Sequence, residues 1–187
     1  FIIADVAGKG IHAGMVMAKA STLFEIMSRD KVDPDEMMLH MNNDLFLTKT
    51  GGMFVTCILG EYNIKSDELR WVNGGHQPAI IRSINGNYQK YESNAPPMGV
   101  ILQKDKTVFK IHKIKLENKR FFAFTDGLSE SLNSEGEEIG IDGSVKIIED
   151  YFNTDSGKQL SDISKKIILT AGSNNLSDDL TLISVGK

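Results

Sequence analysis

One cysteine (Cys57), one tryptophan and four prolines are all that 187 residues contain of these types. A lone thiol cannot close an internal disulfide, so disulfide-stapled scaffolds are excluded and a reducing, cytoplasmic setting is expected. Basic charge is not in excess: 21 Lys and Arg against 25 Asp and Glu leave a net charge of −4. The electrostatic footprint of a nucleic-acid binder is therefore missing, and no nucleic-acid partner is expected. The longest apolar runs, such as Phe1 to Ala4 and Phe121 to Phe124, are far too short to span a bilayer. Neither a membrane contact by this domain nor a signal peptide is expected. What is present, 41% apolar and 25% charged residues, is the balance of a globular protein long enough to bury a core without staples. The length suits one domain over residues 1–187. Because it opens on Phe-Ile-Ile-Ala, inside what reads as a strand, the expectation is a domain excerpted from a longer multidomain protein.

The pattern along the chain is mixed. Residues 1–6 read as a strand ending at Asp5, followed by the turn Ala7-Gly8-Lys9-Gly10. A helix is expected over about Ala13 to Ser28, where Val16, Ala20, Leu23, Phe24 and Met27 recur at helical spacing. Asp33-Pro34-Asp35-Glu36 reads as the start of a second helix, with Asp33 as N-cap, Pro34 in the first turn and Glu36 closing a capping box. Its methionines Met37, Met38 and Met41, like Met15 and Met17 before them, are expected to fill helix packing, with a docking surface as the sharper alternative. Strands follow at Met53–Tyr62, Leu69–Asn73 and Ala79–Ile84, then a hairpin around Asn85-Gly86. Val108–Leu116 alternates strictly, and Arg120–Thr125 reads as a buried strand ending at Asp126-Gly127. Helical patterns return at Ser144–Phe152 and Leu160–Ala171, and the last strand is Leu180–Val185. This order predicts an α+β fold, antiparallel sheets with helices packed outside them.

Three strands carry acids where apolar sequence meets a turn: Asp5, Asp126 and the pair Asp178-Asp179. One acid at a strand end is ordinary turn chemistry. Three, each beside a Gly- or Ser-containing turn, would repel one another if gathered unless a cation lay between them. An oxygen-only donor set suits Mg²⁺, Mn²⁺ or Ca²⁺, and no Cys/His spacing suggests zinc. Gly8-Lys9-Gly10-Ile11-His12-Ala13 also matches a dinucleotide-binding G-x-G-x-x-A. Two features argue against that reading: Asp5 would face the phosphates, and a second helix follows where a parallel strand is required.

Ile3-Ala4-Asp5-Val6-Ala7-Gly8-Lys9-Gly10, Trp71-Val72-Asn73-Gly74-Gly75-His76-Gln77-Pro78, Ala95-Pro96-Pro97-Met98-Gly99, Phe124-Thr125-Asp126-Gly127-Leu128-Ser129-Glu130 and Asp178-Asp179-Leu180-Thr181 occur in that order. Together they resemble the metal-dependent (type 2C, PPM) serine/threonine protein phosphatases, in the bacterial SpoIIE-like branch that acts on sigma-factor regulators. The resemblance implies a sandwich of two antiparallel β-sheets flanked by helix pairs. It implies hydrolysis of phosphoserine or phosphothreonine on a regulatory protein, an anti-anti-sigma-type partner, by a water that two Mn²⁺ or Mg²⁺ ions activate. Asp5 resembles the carboxylate bridging both ions, with the Val6 carbonyl on one of them. Asp126 and Asp178 resemble ligands of the other, and Asp179 is the lesser candidate.

His76 matches a histidine usual in this branch. It reads first as a structural histidine at a turn, with support of the ligands or proton handling as the sharper alternative. His12 and Lys9 are candidates near the same site, Lys9 either attracting an anionic substrate or simply solvated. The animal relatives carry a histidine where this chain has Ala7, so the leaving-group acid is unassigned. The family's Gly-Asp-x-x-Asp element, which supplies an acid to the second ion, does not occur within residues 1–187. The resemblance therefore implies an incomplete second metal set and weak activity for this stretch alone. A non-catalytic module that keeps the fold and binds a regulatory partner is the alternative function.

Overall fold

The structure, a computed structural model, describes residues 1–48, 51–133, 135–149, 165 and 179–186. These fall into two compact units that the chain visits in turn, residues 1–78 with 92–115 and residues 79–91 with 116–187.

In the first unit, β1 (Ile2–Val6) is followed by α1 (Ile11–Arg29) and α2 (Pro34–Leu47), then β2 (Val55–Asn63), β3 (Glu68–Gly74) and β6 (His112–Lys115). The sheet order is β1-β2-β3-β6, every neighbouring pair antiparallel. Period-2 alternation decides what each strand face meets. Ile2 and Val6 of β1 and Val55, Cys57 and Leu59 of β2 join Val16, Ala20, Met37, Met38, Met41 and Leu45 of the helices in one core. Each fully buried methionine there contributes about 1.5–3 kcal/mol by removal from water. Burial also pushes the Cys57 thiol up, so Cys57 is a core residue and not a nucleophile. Residues of opposite parity, Asp5 and Thr56 among them, lie on the sheet face away from α1 and α2.

The second unit contains β4 (Ala79–Ser83), β5 (Tyr88–Tyr91), β7 (Lys119–Phe124) and β8 (Leu182–Val185), in the order β5-β4-β7-β8, again antiparallel throughout. Ile80, Phe122 and Phe124 pack with Leu128 of α3 (Asp126–Ser129) and with Val145, Ile147 and Ile148 of α4 (Gly140–Glu149). The Asn85-Gly86 signal is realised as the β4–β5 turn, where Gly86 takes φ +91° and donates to Ser83 O at 3.0 Å. With α2 following α1, and β1 antiparallel to β2, no βαβ unit forms and the dinucleotide-binding reading is excluded.

Several expectations are corrected. Asp33 does stand at the N-cap of α2, but its side chain caps nothing; it pairs with Arg70 at 3.0 Å. The strand expected from Val108 begins only at His112, because Phe109 is buried in the helix-side core and Lys106–Val108 form a 3₁₀ turn opened by Asp105 accepting from Thr107 N at 2.8 Å. Met15 and Met17 do not fill packing: they are 66% and 60% exposed. Apart from Lys165, which is helical, the helix expected over Leu160–Ala171 lies outside the described residues, as does the end of the one expected over Ser144–Phe152. Among the described residues, no helix is long and apolar enough to cross a membrane.

A pH dependence follows from β6. His112 stacks on Trp71, ring centroids 5.0 Å apart, and its Nε2 lies 3.0 Å from Asn94 Nδ2. Burial holds its pKa below the ordinary histidine range. A base depressed in the folded state binds fewer protons there than when unfolded. Its contribution to stability is therefore fully present above the unfolded value of about 6.5 and is lost as pH falls through the folded value. In melts between pH 7 and 5, His112→Phe should lose less stability on acidification than the parent chain. An equal slope in both would show that His112 does not contribute.

Candidate functional site

The end of β1 is shaped by its pairing with β2. Ala7 N donates to Phe54 O at 2.9 Å, and Phe1 and Gly60 exchange bonds in both directions. The odd-numbered residues of β1 therefore turn their N–H and C=O groups toward β2, as the alternation of an antiparallel ladder requires. Val6, one residue out of phase, turns its carbonyl the other way, at the edge of the sheet order. Asp5, half-buried, stands directly across from Thr56. Beyond Val6 the chain turns through Gly8 (φ +135°) and Gly10 (φ +80°) into α1, leaving Lys9 and His12 exposed.

His76 reaches this strand end from the loop after β3. It is 6% exposed, and its Nδ1 lies 3.0 Å from Thr56 Oγ1. The same hydroxyl lies 3.5 Å from Asp5 O, a long contact. The loop is held by Asn73, whose Oδ1 accepts from His76 N at 2.9 Å and whose Nδ2 donates to Gln77 O at 3.1 Å. Gly75 takes φ +68°, and a Cβ there would come within 2.4 Å of Pro97 Cγ, so glycine alone fits this turn. His76 is thus a buried histidine at a turn whose Nδ1 meets Thr56, and through Thr56 it is a neighbour of Asp5.

In the second unit, Thr125 ties two acidic segments together. Its Oγ1 donates to Asp179 O at 3.2 Å and accepts from Thr181 N at 2.9 Å, while its N–H donates to Thr181 O at 3.0 Å. Asp126 is the next residue, half-buried at the start of α3, with Ser129 Oγ donating to its carbonyl at 3.2 Å. The structure therefore sets the Asp126 strand end beside the segment entering β8. Asp179 is exposed there, and Asp178 lies outside the described residues.

The donors at these two strand ends are oxygens, which suits a hard divalent ion. Among the described residues, no group of three or more His, Cys, Asp or Glu is placed to hold a metal. Asp5 with Val6, His76, His12 and Lys9 belong to the first unit, and Asp126 with Asp179 to the second. Sequence reasoning did not single out Thr56 or Thr125. Thr125 carried one usable signal, a hydroxyl residue immediately before a strand-end acid. Thr56 carried none until register was known.

Comparison with known proteins adds three likenesses. The chain is 25% identical over 182 residues to the phosphoserine phosphatase RsbU of Bacillus subtilis, covering 97% of this chain and 53% of RsbU. Its fold matches the SiaA-PP2C domain of Pseudomonas aeruginosa with a TM-score of 0.80 at 16% identity, over 98% of this chain and 72% of that one. It matches RsbX in complex with magnesium with a TM-score of 0.68 at 20% identity, over 98% and 78%. The chain spans between 32% and 53% of the length of the curated relatives it matches. The family model for stage II sporulation protein E (SpoIIE) matches residues 1–186, from the first strand through the last, and the chain belongs to that family.

Proposed function

We propose that this chain hydrolyses phosphoserine or phosphothreonine on a regulatory protein, an anti-anti-sigma-type partner, with two Mn²⁺ or Mg²⁺ ions as cofactors. Asp5 and the Val6 carbonyl would serve one strand end, Asp126 and Asp178 the other, with Asp179 the lesser candidate. The observation that supports this reading best is the Thr125 junction. It joins two acidic segments far apart in sequence at one sheet end, in a chain whose family match is continuous. The relative RsbU is a phosphoserine phosphatase, and a structural neighbour binds magnesium.

When bound, such ions supply an activated water and neutralise charge on the phosphoryl oxygens. The chain's own contribution is to place Asp5 and Val6 on β1 and Asp126 at the start of α3, regular elements that hold a donor more precisely than a loop does. Lys9, exposed on the turn that follows Asp5 and Val6, brings a positive charge that favours approach of an anionic phosphate. The test is phosphate release from a phosphoserine peptide. Release that requires Mn²⁺ or Mg²⁺ and stops with chelator is expected. Release indifferent to chelator would refute the reading.

A further inference from the structure

We infer that His76 is a positioning residue: acting through the Thr56 hydroxyl, it fixes the end of β1 from which the Asp5 carboxylate and the Val6 carbonyl project. The inference rests on the proposed role of Asp5 as a metal ligand and goes further, because it assigns work to two residues that the proposed metal set does not include.

Asp5 and Thr56 are direct partners in the β1–β2 ladder, so their side chains share the sheet face away from the helices. Such cross-strand partners have Cβ atoms about 4.5–5.5 Å apart, close enough for the rotamer of one to limit the other. Thr56 is β-branched, and its χ1 settles into one staggered well once its hydroxyl is engaged. His76 Nδ1 engages it at 3.0 Å. The arrangement that satisfies both neighbours has Nδ1–H donating to Thr56 Oγ1 and the hydroxyl donating onward to Asp5 O, 3.5 Å away. That carbonyl belongs to the peptide group joining Asp5 to Val6, so restraint on it reaches both ligand-bearing residues.

His76 is itself held in a way that makes it a fixed point. Its N–H is bound by the fully buried Asn73, and the Gly75 turn beside it admits no Cβ. Ser93 adds a further tie, its Oγ donating to Asn73 O at 3.1 Å and accepting from Gly75 N at 2.7 Å. A histidine serving only to fill the turn would need none of its ring atoms near β2. Here the ring nitrogen bridges out of the turn to the strand neighbouring β1. Residues that orient ligands from behind typically matter by 10–100-fold in metal affinity when removed.

Calorimetric titration of the chain with Mn²⁺ alone tests this, with melts of the metal-free variants as a check on folding. His76→Ala should weaken Mn²⁺ binding by about 10–100-fold. His76→Asn, whose side-chain amide can donate from the place of Nδ1, should stay within about threefold of the parent. Thr56→Val keeps the shape and removes the hydroxyl; it should reproduce the His76→Ala loss, and the two together should cost no more than one, as members of one chain do. If His76→Ala destabilises the fold, Thr56→Val and His76→Asn still decide between the outcomes. Unchanged affinity in Thr56→Val, or no rescue by His76→Asn, would overturn the inference. Asp5→Asn separates the two levels. If it leaves Mn²⁺ binding intact, the metal role of Asp5 falls and this inference with it. If it abolishes binding while Thr56→Val does not weaken it, the inference alone fails.

Discussion

Asp5→Asn should cut phosphate release from a phosphoserine peptide about a thousandfold and leave the metal-free fold nearly unchanged. The substitution is close to isosteric and removes one negative charge from a half-buried strand end. In the proposed function this carboxylate is a metal ligand, so its loss weakens the hold on the ion it would bind. Transition-state stabilisation by such ions is worth several kcal/mol, and each 1.36 kcal/mol is a factor of ten in rate. The fold should tolerate the change, because the β1–β2 ladder at this position is made by main-chain groups, and substitutions outside the core usually stay within about 0.5 kcal/mol. A parallel melt of the metal-free variant separates chemistry from folding. Loss of activity with a matching fall in melting temperature would point to structure, and full activity would remove Asp5 from the site.

The second large effect concerns Asp126 and is read without any substrate. A ligand that binds only the folded state stabilises it by mass action, about 2.7 kcal/mol at a concentration of one hundred times Kd. For a chain of this size each kcal/mol moves the melting temperature by about 2–4 °C, so Mn²⁺ at that level should raise it by roughly 5–11 °C. Asp126→Asn should lose most of that gain while melting near the parent temperature in chelator. Asp126 stands at the first turn of α3, next to the Thr125 junction, and that junction is made by Thr125 and main-chain groups. The substitution therefore removes a candidate ligand without untying the segments. An undiminished Mn²⁺ gain in the variant would exclude Asp126 as a ligand.

Much of this fold is legible in one dimension, because the signals that carry it are local. Asp33-Pro34 marks the start of α2, Asn85-Gly86 marks the β4–β5 turn, and alternation or unbroken apolar sequence marks β2, β3, β4 and β7. The failures have a common cause, competition from partners distant in sequence. Val108–Leu116 alternates like a strand, but Phe109 gains more by entering the core under α2 than by extending β6. Asp33 has capping chemistry, yet its carboxylate is taken by Arg70 from β3. The methionines of α1 look like those of α2, but Met15 and Met17 face outward while Met37, Met38 and Met41 are buried. Candidate acids could be named because each borders an apolar run. The links behind them could not, because Thr56 meets Asp5 only through register and Thr125 meets Asp179 only once β8 lies beside β7. A phosphatase fold without chemistry would retain every one of these links, so the decisive quantity is the position of the ions.

Diffraction from crystals of the Mn²⁺-loaded chain, with anomalous scattering used to locate manganese, reads that position directly. The account predicts manganese within about 2.0–2.6 Å of carboxylate oxygens of Asp5, Asp126 and Asp178, the range of hard-cation contacts, with the Val6 carbonyl on an ion that Asp5 also touches. Manganese bound elsewhere, away from these carboxylates, would contradict it and leave the chain as a partner-binding module built on a phosphatase fold.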